Sequence, residues 1–407
     1  MDIINKRTEL FGPNIYHIYS NPPVFTKTYM QYCYDVNNNK YVDLYNNVSH
    51  IGHSHPEIAK TMFEQYKTHC NNMRFLHKIP VEYAEELLNT LGEHKSLYKV
   101  YFTNSGSESN DLALRISSLY LNSMNFVSLK DGYHGTTYLC NLVSSSSSTG
   151  DFQNINNNNG CLFLDVNSNV SILPDKPILI HESIQGVAGN ITFPSGYLKM
   201  LYENIKRNNG ICIADEVQTG FGRTGYTFWA FEFENIFPDI ITLGKSIGNG
   251  YPLGAILIRS EISNKFDEPY FNTYGGNSVA CAVGLAVLNN IKVNDLQYKS
   301  YEYGEYVIYK LNHIKSLYNK YITNITGRGL FIGIHFINQN LALYLFETLK
   351  TLYILVGISK NIIRIKPPLS ITYSDLNYFL DSLVELLKLY NSSQTFQIPQ
   401  TFNQLCN

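Results

Sequence analysis

A chain of 407 residues with a formal net charge of -2 and a pI near 6.6 offers no electrostatic reason to expect nucleic acid or an anionic membrane as its partner. No apolar stretch approaches the length of a membrane span, and the opening MDIINKRTELFG lacks the apolar core of a secretory signal, so a soluble cytoplasmic protein is expected. The length predicts two lobes with a cleft between them, and seven scattered cysteines without a CxxC pair read as inert thiols of a reducing compartment.

From the N-terminus, YMQYCYDV and KYVDLY alternate aromatic and polar positions around Asn37, Asn38 and Asn39, the pattern of an antiparallel hairpin. From about Pro56 to Gly92 apolar residues recur at helical spacing. Seven short apolar runs follow: KVYF, NFVSL, CLFL, PILI, ICIA, DIITL and GAILI, several of them separated by helix-compatible stretches such as SNDLALRISSLYL. That alternation predicts an α/β fold with a mainly parallel central sheet. Ser144 to Ser148 and the Asn run at 156–159 read as one exposed low-complexity loop. After Asn277 the chain turns helical and ends in a smaller α+β portion containing LFIGIHF and IIRI. The expected organisation is an N-terminal segment of a small domain (1–55), a large domain (56–280) and a C-terminal small domain (281–407).

In open parallel sheets ligands bind beyond the carboxyl ends of the strands, so the residues after each apolar run carry the chemistry. KVYF is followed by Thr103-Asn104-Ser105-Gly106-Ser107-Glu108 and a helix, which offers free backbone N–H groups to a phosphate. A plain capping box explains the same residues equally well. GICIA ends in Asp215-Glu216, and DIITL ends in Gly244-Lys245. Burial at a strand end lowers a lysine's pKa and frees its amine to attack a carbonyl. Pyridoxal phosphate needs an amine, a carboxylate for its pyridinium nitrogen and a helix N-terminus for its phosphate. Lys245, Asp215 and the Gly106/Ser107 turn supply these, and Tyr133 in DGYHG offers a flat partner for the ring.

Other patterns are weaker. Gly220 to Gly225 matches G-x-G-x-x-G, but DEVQT separates it from its strand and Asp239 comes too early for a ribose contact. Gly244-Lys245-Ser246 lacks the earlier glycine of a P-loop, since that position is Asp239. His53, His55 and His77 have no carboxylate or cysteine pattern in sequence to complete a metal site, so structural histidines are expected and no metal.

The motifs NNVSHIGHSHPEI (from Asn46), YFTNSGSESNDLALR (from Tyr101), IADEVQTGFGRTG (from Ile213), PDIITLGKSIGNGYPLGA (from Pro238) and FNTYGGN (from Phe271) stand in one order across nearly the whole chain. In these the sequence resembles the class III aminotransferases among the fold type I pyridoxal-phosphate enzymes. The resemblance implies a Schiff base between the cofactor and Lys245, with Asp215 on the pyridinium nitrogen. It further implies Gln218 at the phenolic oxygen, Gly106 and Ser107 at the phosphate, Tyr133 on the ring and Glu182 close by. Thr273 of the NTYGGN motif would reach the phosphate of a neighbouring subunit, which implies a homodimer.

Within the class the sequence looks closest to class III alanine–glyoxylate aminotransferases and to ethanolamine-phosphate phospholyases. A transaminase passes an amino group from an amino acid to a 2-oxo acid; a phospholyase expels phosphate from the neighbouring carbon. Arg364 in NIIRIKPPL favours transamination, because an arginine fork suits a substrate carboxylate. Val187 stands where many relatives acting on terminal amines carry a glutamate that pairs with this arginine, so Arg364 is expected to stay open to an anion.

Overall fold

The computed structural model describes residues 3–15, 17–146, 160–166, 170 and 172–392. Each of the seven apolar runs forms a strand of one sheet. In chain order these are β4 (Tyr98–Thr103), β5 (Phe126–Leu129), β6 (Cys161–Leu164), β7 (Ile178–Glu182), β8 (Ile211–Asp215), β9 (Ile240–Leu243) and β10 (Gly254–Arg259). Their spatial order is β4-β10-β9-β8-β7-β5-β6, and only β10 runs antiparallel to its neighbours in this sheet. Every residue of β7, β8 and β9 is buried, which is why these strands read as continuous apolar runs rather than alternating ones.

Two further sheets flank it. The N-terminal strands β1 (Phe25–Tyr29), β2 (Tyr32–Asp35) and β3 (Lys40–Asp43) form the expected antiparallel set. Its fourth member comes from far down the chain, since β13 (Ile354–Leu355) pairs in parallel with β3. The third sheet has the order β11-β12-β15-β14, built from β11 (Ile322–Arg328), β12 (Phe331–Phe336), β14 (Gly357–Ser359) and β15 (Ile362–Ile365). In its register Arg364 lies opposite Gly333 on one side and Gly357 on the other, so no neighbouring side chain crowds it across the ladder.

Helices α1 (Ile3–Leu10), α2 (Pro56–Thr68), α3 (Lys78–Asn89), α4 (Gly106–Leu121), α5 (Tyr138–Val143), α6 (Tyr197–Arg207), α7 (Ser260–Ser263), α8 (Ser278–Val293), α9 (Leu296–Leu317), α10 (Gln339–Thr351) and α11 (Tyr373–Ser392) complete the fold. Helix α8 is apolar on most faces because it is a core helix, packed against α2 and α3. Among the described residues no single helix is long and apolar enough to cross a membrane.

The helical spacing from Pro56 to Gly92 is carried by two helices, with His69 and His77 stacked face to face at 4.3 Å across the break between them. One reading of the sequence needs correction. Ser144 and Ser146 are buried rather than exposed, and the backbone N–H groups of Ser145 and Ser146 both donate to the Gly132 carbonyl. Ser147, Ser148 and the Asn run lie outside the described residues.

Helix α4 starts hard against the end of β9. A Cβ added at Gly244 would lie 2.7 Å from the backbone nitrogen of Gly106 and 2.9 Å from its Cα, so no side chain fits there. Gly244→Ala is expected to push the helix start away and to cost about 1–3 kcal/mol, seen as a lower urea midpoint in equilibrium unfolding.

Candidate functional site

The carboxyl ends of β4, β5, β7, β8 and β9 converge on one cavity of about 310 Å³. It is lined by Gly106 and Ser107 after β4, Tyr133 after β5 and Glu182 at the end of β7. Asp215 at the end of β8, Gln218 just past it and Lys245 after β9 line the same cavity. A second, larger cavity of about 930 Å³ shares Val48, Tyr133, Gln218 and Lys245 with the first and adds Val187 and Arg364. Lys245 therefore stands where the two spaces meet. Thr273 lines neither; it is exposed, next to an Asn272 bonded to Asn104 and Glu108 at the head of α4.

At the turn expected to seat a phosphate, the helix is capped by Ser105, but the capping box is not closed, since Glu108 reaches Asn104 and not the Ser105 N–H. The Ser105 hydroxyl caps the helix by accepting the Glu108 N–H at 3.1 Å, while Glu108 accepts from the backbone and side chain of Asn104. That arrangement leaves the N–H groups of Gly106 and Ser107 at the cavity wall. Gly135 presses on the same turn: its φ is +124°, and a Cβ there would lie 2.3 Å from Ser107 Oγ.

Asp215 is buried, and three donors fix its carboxylate. Oδ2 accepts from Asn110 Nδ2 and from His134 Nδ1, each at 2.8 Å, and Oδ1 accepts from the Val217 N–H at 3.1 Å. Sequence reasoning passed over both side-chain partners. His134 adjoins Tyr133 in DGYHG and Asn110 lies one turn into α4, so only the fold shows that both face Asp215. Neighbouring Glu216 is structural, binding Ser183, Thr219 and the N–H groups of Ala230 and Phe231.

Glu182 accepts from the N–H of Gly186 at 2.8 Å and of Tyr133 at 3.2 Å. Burial raises its pKa above the ordinary carboxylate value, with Asp215 adding to the rise. Lys245 has a left-handed backbone, φ +42°, and its amine forms no hydrogen bond or ion pair among the described residues. Burial pulls the amine's pKa down, against the attraction of Asp215 and Glu182.

The larger cavity holds groups that the sequence did not single out. Lys366 donates to Gln218 Oε1 at 2.9 Å, and Asn47 donates to the same oxygen at 3.2 Å. Arg364 and Lys366 point to the same face of the strand end, two residues apart, and both lie over the Tyr45 ring, at 5.7 and 5.6 Å. Arg364 donates to the carbonyls of Gly186 and Ile358, and no carboxylate pairs with it among the described residues. His53 has acidic company after all: its Nε2 bonds Asp43 at 2.7 Å and Cys33 lies close by. Both its ring nitrogens are engaged, the second by Ser49, which fits a structural histidine.

A family model described as "Aminotransferase class-III" matches residues 17–387. The chain belongs to the class III aminotransferases. It is 33% identical to alanine–glyoxylate aminotransferase 2 homolog 2, mitochondrial, of Arabidopsis thaliana, over 94% of this chain and 86% of that protein. It is 31% identical to ethanolamine-phosphate phospho-lyase homolog 1 of Caenorhabditis elegans, over 96% of this chain and 94% of that protein. Among solved structures, a phospholyase from Arthrobacter in complex with phosphoethanolamine superposes with a TM-score of 0.87 at 28% identity, covering 95% of this chain and 99% of the other. The cofactor of class III aminotransferases is pyridoxal phosphate, as expected from the sequence.

Because burial lowers the Lys245 pKa, the folded protein gives up a proton that the unfolded chain keeps. Without ligand, stability is therefore expected to rise as pH climbs from the depressed value toward the ordinary lysine value. Lys245→Met is expected to flatten that rise, measured by urea unfolding of the ligand-free protein at about pH 7 and pH 9.

Proposed function

We propose that this class III aminotransferase moves an amino group from an amino acid to a 2-oxo acid, with the first cavity holding pyridoxal phosphate and the second the substrate. The observation that carries this is the position of Lys245, an unpaired amine between a phosphate seat on one side and Arg364 on the other. The residues fit the cofactor: the amine is free, the Asp215 carboxylate is pre-oriented, and the start of α4 offers two N–H groups. When bound, the cofactor supplies an electron sink for the substrate carbon.

The chain's own residues do the rest. Asp215 keeps a proton at the ring nitrogen, and the His134 and Asn110 bonds hold its carboxylate in place to do so. Gly106 and Ser107 would hold the phosphate through backbone N–H groups, with Tyr133 against the ring, Gln218 toward its oxygen and Glu182 near it, since all five line the cavity. With the cofactor bound, the Lys245 amine would move a proton from the substrate carbon as general base, and burial, which lowers its pKa, favours the neutral amine for that work. Arg364 uses donors on two carbonyls and on Tyr45, which leaves part of its guanidinium for a substrate carboxylate.

Thr273 belongs to a homodimer contact in this reading. It sits among the exposed Phe271 and Tyr274, against a strip with Met73, Phe75 and Leu76 exposed, and Arg74 covers Phe271 at 3.8 Å. Free, uncrosslinked cysteines among the described residues support a reducing compartment such as the cytoplasm.

A second reading, a phospholyase acting on an amino-alcohol phosphate, draws on the similarity to the Arthrobacter phospholyase and on the paired cations Arg364 and Lys366. Purified holoenzyme mixed with ethanolamine phosphate distinguishes the two. Rapid release of inorganic phosphate without any oxo acid would sink the transaminase reading. Under transamination, Lys245→Ala is expected to lower the rate of amine transfer by at least about 100-fold. Arg364→Gln is expected to raise KM for the amino acid by about 10- to 100-fold with a smaller change in kcat, by steady-state kinetics.

A further inference from the structure

Lys366 is a buried lysine without a carboxylate. It is 3% exposed, and the one hydrogen bond of its amine among the described residues goes to Gln218 Oε1. An ammonium in such a place is costly unless something compensates it. Its surroundings do so only in part: the Tyr45 and Phe331 rings at 5.6 and 5.5 Å and Glu182 favour the charge, but Arg364, Lys245 and Arg223 oppose it. Burial, followed by Arg364 and Lys245, holds its pKa well below the ordinary lysine value.

The geometry at Gln218 shows what this lysine does. Oε1 accepts from two nitrogen donors, Asn47 Nδ2 at 3.2 Å and Lys366 Nζ at 2.9 Å. Turned over, the amide would lose both bonds unless Asn47 turned with it and Lys366 changed from donor to acceptor, so the three side chains hold one another's orientation. The amide is also packed against Gly186, where an added Cβ would lie 2.7 Å from Nε2. Nε2 is then the group that Gln218 presents to the cavity it lines.

We propose that Lys366 is a positioning residue for the cofactor's ring oxygen: together with Asn47 it locks the Gln218 amide so that Gln218 can only donate to that oxygen. This rests on the reading of Gln218 as facing the cofactor. The pieces come from three separate places in the fold. Gln218 follows β8, Asn47 follows β3 and Lys366 follows β15, so the lock also ties the cofactor pocket to both smaller sheets. An oriented donor at the ring oxygen opposes the proton shared between that oxygen and the Lys245 nitrogen. Removing the lock strengthens the hold on that proton and raises the pH at which it leaves.

The test is the visible absorbance of reconstituted holoenzyme followed against pH, with the cofactor Kd measured alongside by equilibrium dialysis. Lys366→Met is expected to raise the absorbance midpoint by about one pH unit and to weaken cofactor binding several-fold. Lys366→Leu, which also removes the donor, serves the same comparison if the Met variant does not fold. In a Gln218→Leu background, Lys366→Met is expected to move the midpoint by less than half of what it does alone. A midpoint unmoved in the Lys366 variants, or a shift of half or more persisting in the Gln218→Leu background, overturns the proposal. If Gln218→Leu alone leaves the midpoint unmoved, the cofactor-facing role of Gln218 falls, and the role of Lys366 falls with it.

Discussion

The backbone of Gly244 rests directly on that of Gly106, and the site is arranged around this contact. It brings the first turn of α4 against the end of β9, so that free N–H groups and the Lys245 amine border one cavity. The antiparallel β10 makes that meeting possible. Inserted between β4 and β9, it separates two strands that run the same way, and Ser109 at the start of α4 reaches across to bond the Leu243 carbonyl at 2.8 Å. A single methyl group at position 244 would separate the pieces.

Most of the fold was legible because its strands are buried on both faces. Runs such as ICIA and DIITL carry their assignment in composition alone, and the residues that follow them are the ones that line the cavity. What the sequence hides is whatever joins distant segments. Lys366 lies two positions beyond Arg364, yet its partner Gln218 lies in the turn after a strand of another sheet, so nothing in NIIRIKPPL marks it as more than a charged strand end. His134 was overlooked for the opposite reason: it adjoins Tyr133, whose ring gave that motif its meaning. The serine run was misread because polarity suggested exposure, whereas the Ser144 hydroxyl is used inside, accepting the His134 N–H at 2.8 Å.

Charge in the larger cavity is unbalanced in a way that suits its proposed use. Arg364, Lys366 and Lys245 line it against a single lining carboxylate among the described residues, Asp43, which is already bonded to His53, and Val187 contributes none. Burial depresses the pKa of each of the three cations, so an entering anion gains by restoring the charge that burial opposes. Pocket and ligand then complete one another electrostatically, where an ion pair within the protein would have closed the site.

The pairing of β3 with β13 joins Val42 to Ile354, residues from opposite ends of the chain. Made from the ribosome outward, the N-terminal strands emerge long before their partner β13. The cavity wall that carries Asn47 and Tyr45 therefore assembles late, after the central sheet is complete. A nascent chain stalled before Ile354 would expose an unpaired β3 edge, and that edge is where chaperone capture or misassociation would begin.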